Sequence, residues 1–301
     1  MLGLVAKTAA GPNATEFLHR GVRLSKLAAY WTKRMTAPSK SLGSISIFFP
    51  AFNDEQTIGE LVRNALAILP TWTDDYEVLI INDGSTDGTA AVLEQLRKEN
   101  VHVRPIHHEA NRGYGGALQS GFENATKEFV FYTDGDGQYD VRELARLLPL
   151  MKPGIDVVNG YKSKRADSWH RVVIGKIYNR TARLLFRLPI RDVDCDFRLI
   201  KRDALQHIGK ISTSGAACLE MIRKLKANGA VFAEVEVSHY PRVHGRSQFF
   251  TFQSLMRTFY DFCGLLGQAW IAAFRAQKAV PADKKEEAKD RIASEIFTLS
   301  K

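Results

Sequence analysis

Cysteine is scarce in this sequence, and long uncharged apolar runs are missing from it. The three cysteines among 301 residues (Cys195, Cys218 and Cys263) are widely spaced and offer neither a disulfide framework nor a zinc site, which favours a reducing compartment. The longest apolar stretch, Phe262–Phe274, has 13 residues and is too short to span a bilayer. The opening Met1–Ala6 is too short for a secretory signal. We therefore expect a soluble or membrane-surface protein.

Two nucleotide-binding signatures are also missing. The glycines of Asn111–Gly116 precede a helical pattern, but no Gly-Lys-Ser/Thr follows them, so this is not a Walker A loop. The third glycine position of the dinucleotide fingerprint holds Leu118. The histidines lack metal-ligand spacing, and there is no serine nucleophile elbow. These absences argue against a kinase or a dehydrogenase.

The charge balance favours anionic partners. Lys plus Arg number 42 against 33 Asp plus Glu, which gives a formal net charge of +9. Nucleotides, phosphorylated substrates and an acidic membrane surface all fit this excess. Nucleic acid is a weaker candidate and is not expected, because aromatic residues are not interleaved with the basic ones in a recognisable module.

The chain divides by composition into an N-terminal segment and linker (1–43), a main domain (44–248) and a C-terminal apolar and charged segment (249–301). Phe17–Trp31 has the pattern of a basic amphipathic helix, which either lies on an anionic membrane or packs on the main domain. Phe249–Phe274 is either a buried helix or a surface that dips into lipid.

From Ile45 onward, apolar runs alternate with helical spacing. Strands are predicted at Ile45–Phe49, Val78–Ile81, Val101–Ile106, Phe129–Tyr132 and Val231–Val237. Continuous apolar strands separated by amphipathic helices predict an α/β fold with a mostly parallel sheet covered on both faces. Ligands of such sheets bind outside the carboxyl ends of the strands.

The polar segments after the strands carry the candidate chemistry. Asn82–Thr89 supplies carboxylates that suit a base or ribose, although a plain turn with a helix cap explains the same residues. Asp134 and Asp136, separated by a glycine, suit one hard divalent cation whose other ligands a diphosphate supplies. Gly113 and Gly115 would let backbone N–H groups approach an anion.

As an ordered set, these segments resemble the donor half of family 2 glycosyltransferases with the GT-A fold. Asp192–Leu199 and Tyr240–Ser247 are similar to polyprenyl-phosphate glycosyltransferases such as dolichyl-phosphate mannose synthases. The resemblance covers about residues 44–250 and implies a mixed, mostly parallel sheet between helices. Amphipathic helices would lie at both termini.

The resemblance also implies residue roles. Donor contacts fall on Pro50, Ala51, Asn53, Glu55, Asp83, Gly113, Gly115, Asp134, Lys162, Arg198 and Arg246. Within that set, Ala51, Glu55 and Asp83 contact the nucleoside. Mg2+ or Mn2+ would be bound by Asp134, Asp136 and Gln138. Catalytic roles fall on Asp136, Asp196, Arg171 and Arg242, with Lys162, Arg171 and Arg242 holding the diphosphate and the acceptor phosphate. Asp196 orients the acceptor or takes a proton, or is a structural partner of Arg198.

Three positions depart from the pattern of the mannose synthases and their relatives. Lys162 replaces a frequent arginine, Gly175 a serine and Gln248 a lysine, which leaves the sugar and phosphate handling open. The C-terminal membrane-spanning helices of many relatives are absent. The Gln-x-x-Arg-Trp pattern of processive synthases is also missing, so polymer synthesis is not expected.

The expected function is metal-dependent, inverting transfer of a sugar from a GDP- or UDP-sugar to a polyprenyl phosphate. The protein would be cytoplasmic and peripheral on the membrane face, with an anionic membrane surface as a partner. A second copy of the chain or a membrane protein remains a possible partner. One alternative is a family 2 glycosyltransferase with a soluble or other glycan acceptor. An alternative of another class is a non-catalytic scaffold that binds sugar nucleotides.

Overall fold

The computed structural model describes residues 43–162, 169–242 and 252–279. The strands in these ranges are β1 (Ile45–Ala51), β2 (Tyr76–Asn82), β3 (Val103–His107), β4 (Phe129–Thr133), β5 (Val157–Lys162), β6 (Phe197–Lys201) and β7 (Phe232–Val237). The helices are α1 (Ile58–Ile68), α2 (Thr89–Glu99), α3 (Tyr114–Asn124), α4 (Leu144–Leu147), α5 (Trp169–Phe186), α6 (Arg202–Gln206), α7 (Ala217–Ala227) and α8 (Phe252–Ala279). Short 3₁₀ turns occupy Leu69–Thr71, Val141–Glu143 and Leu148–Leu150.

Across these ranges the strands form one sheet in the order β3-β2-β1-β4-β6-β5-β7. β1 pairs in parallel with β2 and β4, and β2 pairs in parallel with β3. This confirms the predicted mostly parallel sheet. The third strand starts two residues later than predicted, because Val103 N donates to Asn100 O across a turn that leaves Val101 93% exposed.

Both faces of the sheet are covered, because alternate side chains of each strand enter opposite hydrophobic clusters. On β1, Phe48 packs in one cluster with Leu118 of α3 and Leu219 of α7. Ile47 and Phe49 pack in the other cluster, which helices α1 and α2 complete with Val62, Ala65 and Leu93. The helices therefore enclose the sheet on two sides, as the amphipathic spacing predicts.

Two strands, β5 and β6, were not predicted from the sequence. β6 lies between β4 and β5 and runs antiparallel to both. Its register pairs Phe197 with Thr133, the last residue of β4. The residues just outside that pair, Asp196 and Asp134, are therefore brought to the same edge of the sheet.

Two helices leave large apolar side chains exposed. On α5 these are Val173, Ile174, Ile177, Leu184 and Leu185, and on α8 they are Met256, Phe259, Tyr260, Trp270 and Ile271. Leu265 of α8 is buried in the hydrophobic core. Within the described ranges, no helix is both long enough and apolar enough to cross a bilayer. The predicted Phe17–Trp31 helix, the 38–41 linker, Arg246 and the tail beyond residue 279 lie outside the described residues.

Candidate functional site

The loops that follow β1, β2 and β4 meet at one edge of the sheet, because these strands are parallel neighbours. Asp83 N donates to Ala51 O at 2.9 Å, and Gly135 N donates to Pro50 O at 3.1 Å. The segment after β1 therefore lies between the two aspartate-containing loops. The structure thus brings together three of the segments that the sequence analysis singled out.

Asn53 and Glu55 bind the loop that follows β2. Asn53 has a positive φ of 58°, and its Oδ1 accepts a hydrogen bond from Thr86 N at 2.8 Å. Glu55 Oε2 accepts a hydrogen bond from Gly88 N at 2.7 Å. Asp87 Oδ1 accepts from Thr89 N at 3.0 Å and so caps the start of α2. These contacts fix the shape of the loop on which the predicted nucleoside contacts lie.

Asp83 is buried at the end of β2, and its Oδ1 accepts two hydrogen bonds. One comes from His108 Nδ1 at 2.6 Å and the other from Arg112 N at 2.9 Å. The sequence analysis found no metal-ligand spacing among the histidines and did not single out His108. The position of His108 just beyond β3, beside the end of β2, was the signal that could have identified it.

Asp134 and Asp136 form an electronegative pair beyond β4. Tyr114 OH donates to Asp134 Oδ1 at 2.8 Å, a contact that was not predicted. Burial raises the pKa of Asp134 well above its ordinary value, and the negative charges of Asp196 and Asp136 raise it further. Burial also raises the pKa of Asp136, although the Arg242 guanidinium that contacts its Oδ2 acts in the opposite direction.

Asp54 adds a half-buried carboxyl to the same edge. Burial raises its pKa to about 6, and the charge of Asp136 contributes to the shift, whereas the hydrogen bond from Phe52 N at 3.0 Å opposes it. The ionised forms of these carboxyls are therefore only partly compensated by the groups around them. A cation or a cationic side chain is what such a site favours.

Asp196 is held from behind by two buried side chains. Its Oδ1 accepts from Arg198 Nη1 at 3.1 Å and from Cys218 Sγ at 2.9 Å. Arg198 is 0% exposed; its Nε donates to Asn159 Oδ1 at 2.6 Å, and its Nη1 contacts Tyr132 OH. Arg198 was predicted as a donor contact. Its guanidinium is fully buried against these partners, and its role toward the donor stays a prediction.

The predicted basic residues do not all point into this edge. Lys162 is buried, and its Nζ donates to Asp194 O at 2.6 Å and lies 3.8 Å from Asp192 Oδ2. Arg171 lies in the first turn of α5, with its side chain outside the described part of the structure. Of the predicted phosphate-binding side chains that the structure describes, Arg242 is the one in contact with the aspartate pair.

Gln138 and the glycine-rich segment have local structural partners. Gln138 Nε2 donates to Tyr240 O at 3.1 Å, while its Oε1 lies 3.5 Å from Arg242 Nη2. A Cβ on Gly113 would lie 2.5 Å from Thr213 O, and one on Gly115 would lie 1.8 Å from a backbone oxygen of the same loop. These glycines are therefore required for packing. Their predicted approach to an anion stays a prediction.

The donor set suits a hard divalent cation that receives part of its coordination from substrate. Carboxylate oxygens are the ligands that Mg2+ and Mn2+ prefer, and Asp136 is close enough for its charge to raise the pKa of Asp134 and of Asp54. Among the residues that the structure describes, no group of three or more His, Cys, Asp or Glu is arranged to hold a metal ion. The protein side of such a site would be limited to these few oxygens.

Comparison with known proteins identifies the family. The sequence profile described as glycosyl transferase family 2 matches residues 46–209, which is more than half of the chain. A mannosyltransferase, PcManGT from Pyrobaculum calidifontis in complex with GDP-Man and Mn2+, is similar in structure with a TM-score of 0.52 and 23% identity. That match covers 73% of this chain and 65% of the other, so this chain spans somewhat less than two thirds of its length.

A second solved structure is similar over a larger share of both chains. Glucosyl-3-phosphoglycerate synthase from Mycobacterium tuberculosis, in complex with Mn2+, UDP and phosphoglyceric acid, matches with a TM-score of 0.54 and 18% identity. The match covers 80% of this chain and 81% of that one. The same enzyme with Mg2+ and UDP matches with a TM-score of 0.53. At these identities the likeness shows a shared fold.

Proposed function

The chain belongs to glycosyl transferase family 2, and from this premise we propose that it transfers a sugar from a nucleotide-sugar donor to a polyprenyl phosphate. The reaction would be metal-dependent and inverting, at the cytoplasmic face of a membrane. The observation that carries the proposal is the placement of Asp134, Asp136 and Asp196 at one edge of the sheet, with Arg242 on Asp136.

Asp134 and Asp136 are the residues that would hold Mg2+ or Mn2+, with Gln138 beside them. When bound, the cation would neutralise the negative charge of the donor diphosphate as it departs. Two of the similar structures contain Mn2+ with a nucleotide or nucleotide sugar, which supports the same combination here. Arg242 already pairs with Asp136, so a second positive charge is available beside the proposed cation site for the acceptor phosphate.

The chemical step is a displacement at the anomeric carbon of the donor sugar. A bond forms from an oxygen of the acceptor phosphate to that carbon, and the bond from the carbon to the diphosphate oxygen breaks, releasing a nucleoside diphosphate. A phosphate acceptor is already anionic and needs little general-base help, so positioning and electrostatics supply most of the catalysis. Asp196, held by Arg198 and Cys218, would orient the acceptor or accept a residual proton.

Three features support a lipid acceptor. Helices α5 and α8 expose large apolar side chains, as helices that bind a membrane interface do. The formal charge of +9 favours an anionic membrane surface. Arg171 lies in the first turn of α5, so a phosphate-binding residue would adjoin the helix that exposes these apolar side chains.

A soluble phosphorylated acceptor is the second candidate. The similarity to glucosyl-3-phosphoglycerate synthase in complex with phosphoglyceric acid favours it, because that match covers four fifths of both chains. A non-catalytic scaffold is less well supported, because the aspartate pair and the Asp196 cluster are intact.

The experiment is a transfer assay on the full chain with a panel of GDP- and UDP-sugars, each with Mg2+ or Mn2+. Each donor is tested without acceptor, with polyprenyl phosphate and with phosphoglyceric acid. Transfer that depends on polyprenyl phosphate supports the proposal, whereas transfer to phosphoglyceric acid alone supports the second candidate. Nucleotide binding with no turnover on any acceptor would favour the scaffold.

A further inference from the structure

His108 and Ser120 are buried polar residues that the transfer reaction described above does not use. His108 Nδ1 lies 2.6 Å from Asp83 Oδ1, and His108 Nε2 lies 2.8 Å from Ser120 Oγ. All three side chains are buried. A neutral histidine that donates from Nδ1 to a carboxylate accepts at Nε2, and the Ser120 hydroxyl supplies that hydrogen. The three residues therefore form a hydrogen-bonded relay that runs from Ser120 on α3 through His108 to Asp83 at the end of β2.

The relay leaves one oxygen of Asp83 for a ligand. Oδ1 accepts from both His108 Nδ1 and Arg112 N, which occupies its two lone pairs. Oδ2 accepts no hydrogen bond from any residue in the described ranges. Asp83 thus presents a single acceptor oxygen.

A glycine makes the second of these hydrogen bonds possible. Gly84 has a φ of 72°, and a Cβ at this position would lie 2.6 Å from Asn111 N. Only a glycine lets the backbone of residues 110–112 approach the end of β2 so closely, and Arg112 N reaches Asp83 as a result. Asp83 Oδ1 is therefore occupied by one hydrogen bond from the backbone and one from His108.

We infer that His108 and Ser120 are positioning residues that make Asp83 a single-oxygen acceptor and thereby select uridine over guanosine nucleotides. The inference rests on the proposed function and on the expected contact of Asp83 with the nucleoside of the donor. Uracil has one ring N–H, flanked by two carbonyl groups, and it matches one free oxygen. Guanine presents a ring N–H beside an exocyclic amine, and this pair matches a carboxylate with both oxygens free. Cytosine places an unprotonated ring nitrogen where uracil has its N–H, which a carboxylate repels.

The test is calorimetric binding of UDP, GDP and CDP to the full chain in the presence of Mg2+. Wild-type protein is expected to bind UDP roughly 10- to 100-fold more tightly than GDP, the ratio that one unpaired donor in a buried site produces. His108→Ala removes one of the two hydrogen bonds to Oδ1 and so holds Asp83 less firmly, and we expect weaker UDP binding and a smaller ratio of UDP to GDP affinity. His108→Asn, whose amide can donate near the Nδ1 position, should restore much of the ratio.

Two further variants show whether a changed affinity ratio comes from the positioning of Asp83 or from a general loss of folded structure. Ser120→Ala removes the second hydrogen bond of the relay and should narrow the ratio less than His108→Ala does. His102→Ala, at the opposite edge of the sheet, where its ring stacks on Tyr76, should leave the ratio unchanged. If His108→Ala does not fold, the wild-type ratio and Ser120→Ala still decide the question.

The outcomes distinguish this inference from the proposed function. GDP binding as tight as UDP binding in the wild type, or an unchanged ratio in folded His108→Ala, would overturn the selection by His108 and leave nucleotide-dependent transfer in place. Absence of binding by all three nucleotides with either Mg2+ or Mn2+ would overturn both.

Discussion

The Tyr114 hydroxyl donates a hydrogen bond to Asp134 Oδ1 at 2.8 Å and so connects the first residue of α3 to the carboxylate beyond β4. Burial raises the pKa of Tyr114 well above its ordinary value, and the charge of Asp134 raises it further. The phenol therefore stays protonated and remains a donor across the working pH range.

Loss of this hydrogen bond should slow the chemical step. Tyr114→Phe keeps the ring and its packing but leaves Asp134 free to turn, and we expect a fall in kcat of about tenfold. Steady-state kinetics with saturating donor measure it. Tyr76→Phe, at the other end of the strands, is the matched control and should match the wild type. An unchanged kcat in Tyr114→Phe would show that the contact does not position Asp134.

Removal of a carboxylate from the proposed cation site should nearly abolish transfer. Asp136→Asn keeps the size of the side chain but removes a negative ligand oxygen, so the rate should fall by orders of magnitude with the fold intact. EDTA should do the same to the wild type, with recovery on addition of Mn2+ or Mg2+. Asp75→Asn, which removes a surface partner of Lys127, is the control. A fully active Asp136→Asn protein, or indifference to EDTA, rules out the metal role.

Glu77 makes the stability of the fold depend on pH. Burial acts to raise its pKa, but hydrogen bonds from Ser46 and Thr126 and the charge of Arg104 outweigh burial, so the folded pKa is lower than the ordinary value of 4.5. The carboxylate therefore stabilises the fold above pH 4.5, and this contribution is lost as the pH falls through the folded value.

We therefore expect Glu77→Gln to lower the free energy of unfolding by about 1 kcal/mol at neutral pH. The difference from the wild type should disappear in acid, since both side chains are then neutral. Urea denaturation at several pH values measures this difference, with Glu60→Gln on the exposed face of α1 as the control. A difference that is constant with pH would show that ionisation of Glu77 is not its cause.

The apolar side chains exposed on α8 should contribute to membrane binding. The full chain is expected to bind anionic vesicles and to be released by salt. Each Lys or Arg near the membrane surface should contribute about 1 kcal/mol to the binding free energy. Phe259→Ser combined with Trp270→Ser should weaken binding, whereas Val101→Ser, which changes another exposed apolar side chain, should not. Deletion of residues 1–40 measures how much the N-terminal segment contributes to vesicle binding. Equal partitioning into neutral and anionic vesicles would remove the electrostatic part of the proposal.

The parallel half of the fold could be predicted because its strands are buried on both faces. β1 and β4 are continuous apolar runs, and helical spacing follows β1 and β2. β6 could not be predicted in the same way, because its sequence, FRLIK, contains two basic residues and follows an aspartate-rich loop. Arg198 is tolerated inside the sheet because Asn159, Tyr132 and Asp196 bind its guanidinium, and these partners come from three separate segments.

In the site, too, some residues could be predicted from the adjacent sequence, whereas others depend on contacts that form only when the chain folds. Asp134 and Asp136 were predictable because they follow a buried strand directly. Tyr114, His108 and Cys218 acquire their contacts only when α3, β3 and α7 pack beside the strand ends. No spacing in the sequence encodes those contacts, which is why the positioning side chains were missed.

The central claim, that the acceptor is a polyprenyl phosphate bound in part by Arg242, is tested most directly by the transfer rate as a function of polyprenyl phosphate concentration. The arginine fork binds phosphate oxygens bidentately, which a lysine cannot reproduce. The account predicts a saturable response in the wild type and loss of most of it in Arg242→Lys, with nucleotide binding weakened much less. Arg97→Lys on the surface of α2 should behave as the wild type. A wild-type rate that does not change with polyprenyl phosphate would contradict the account.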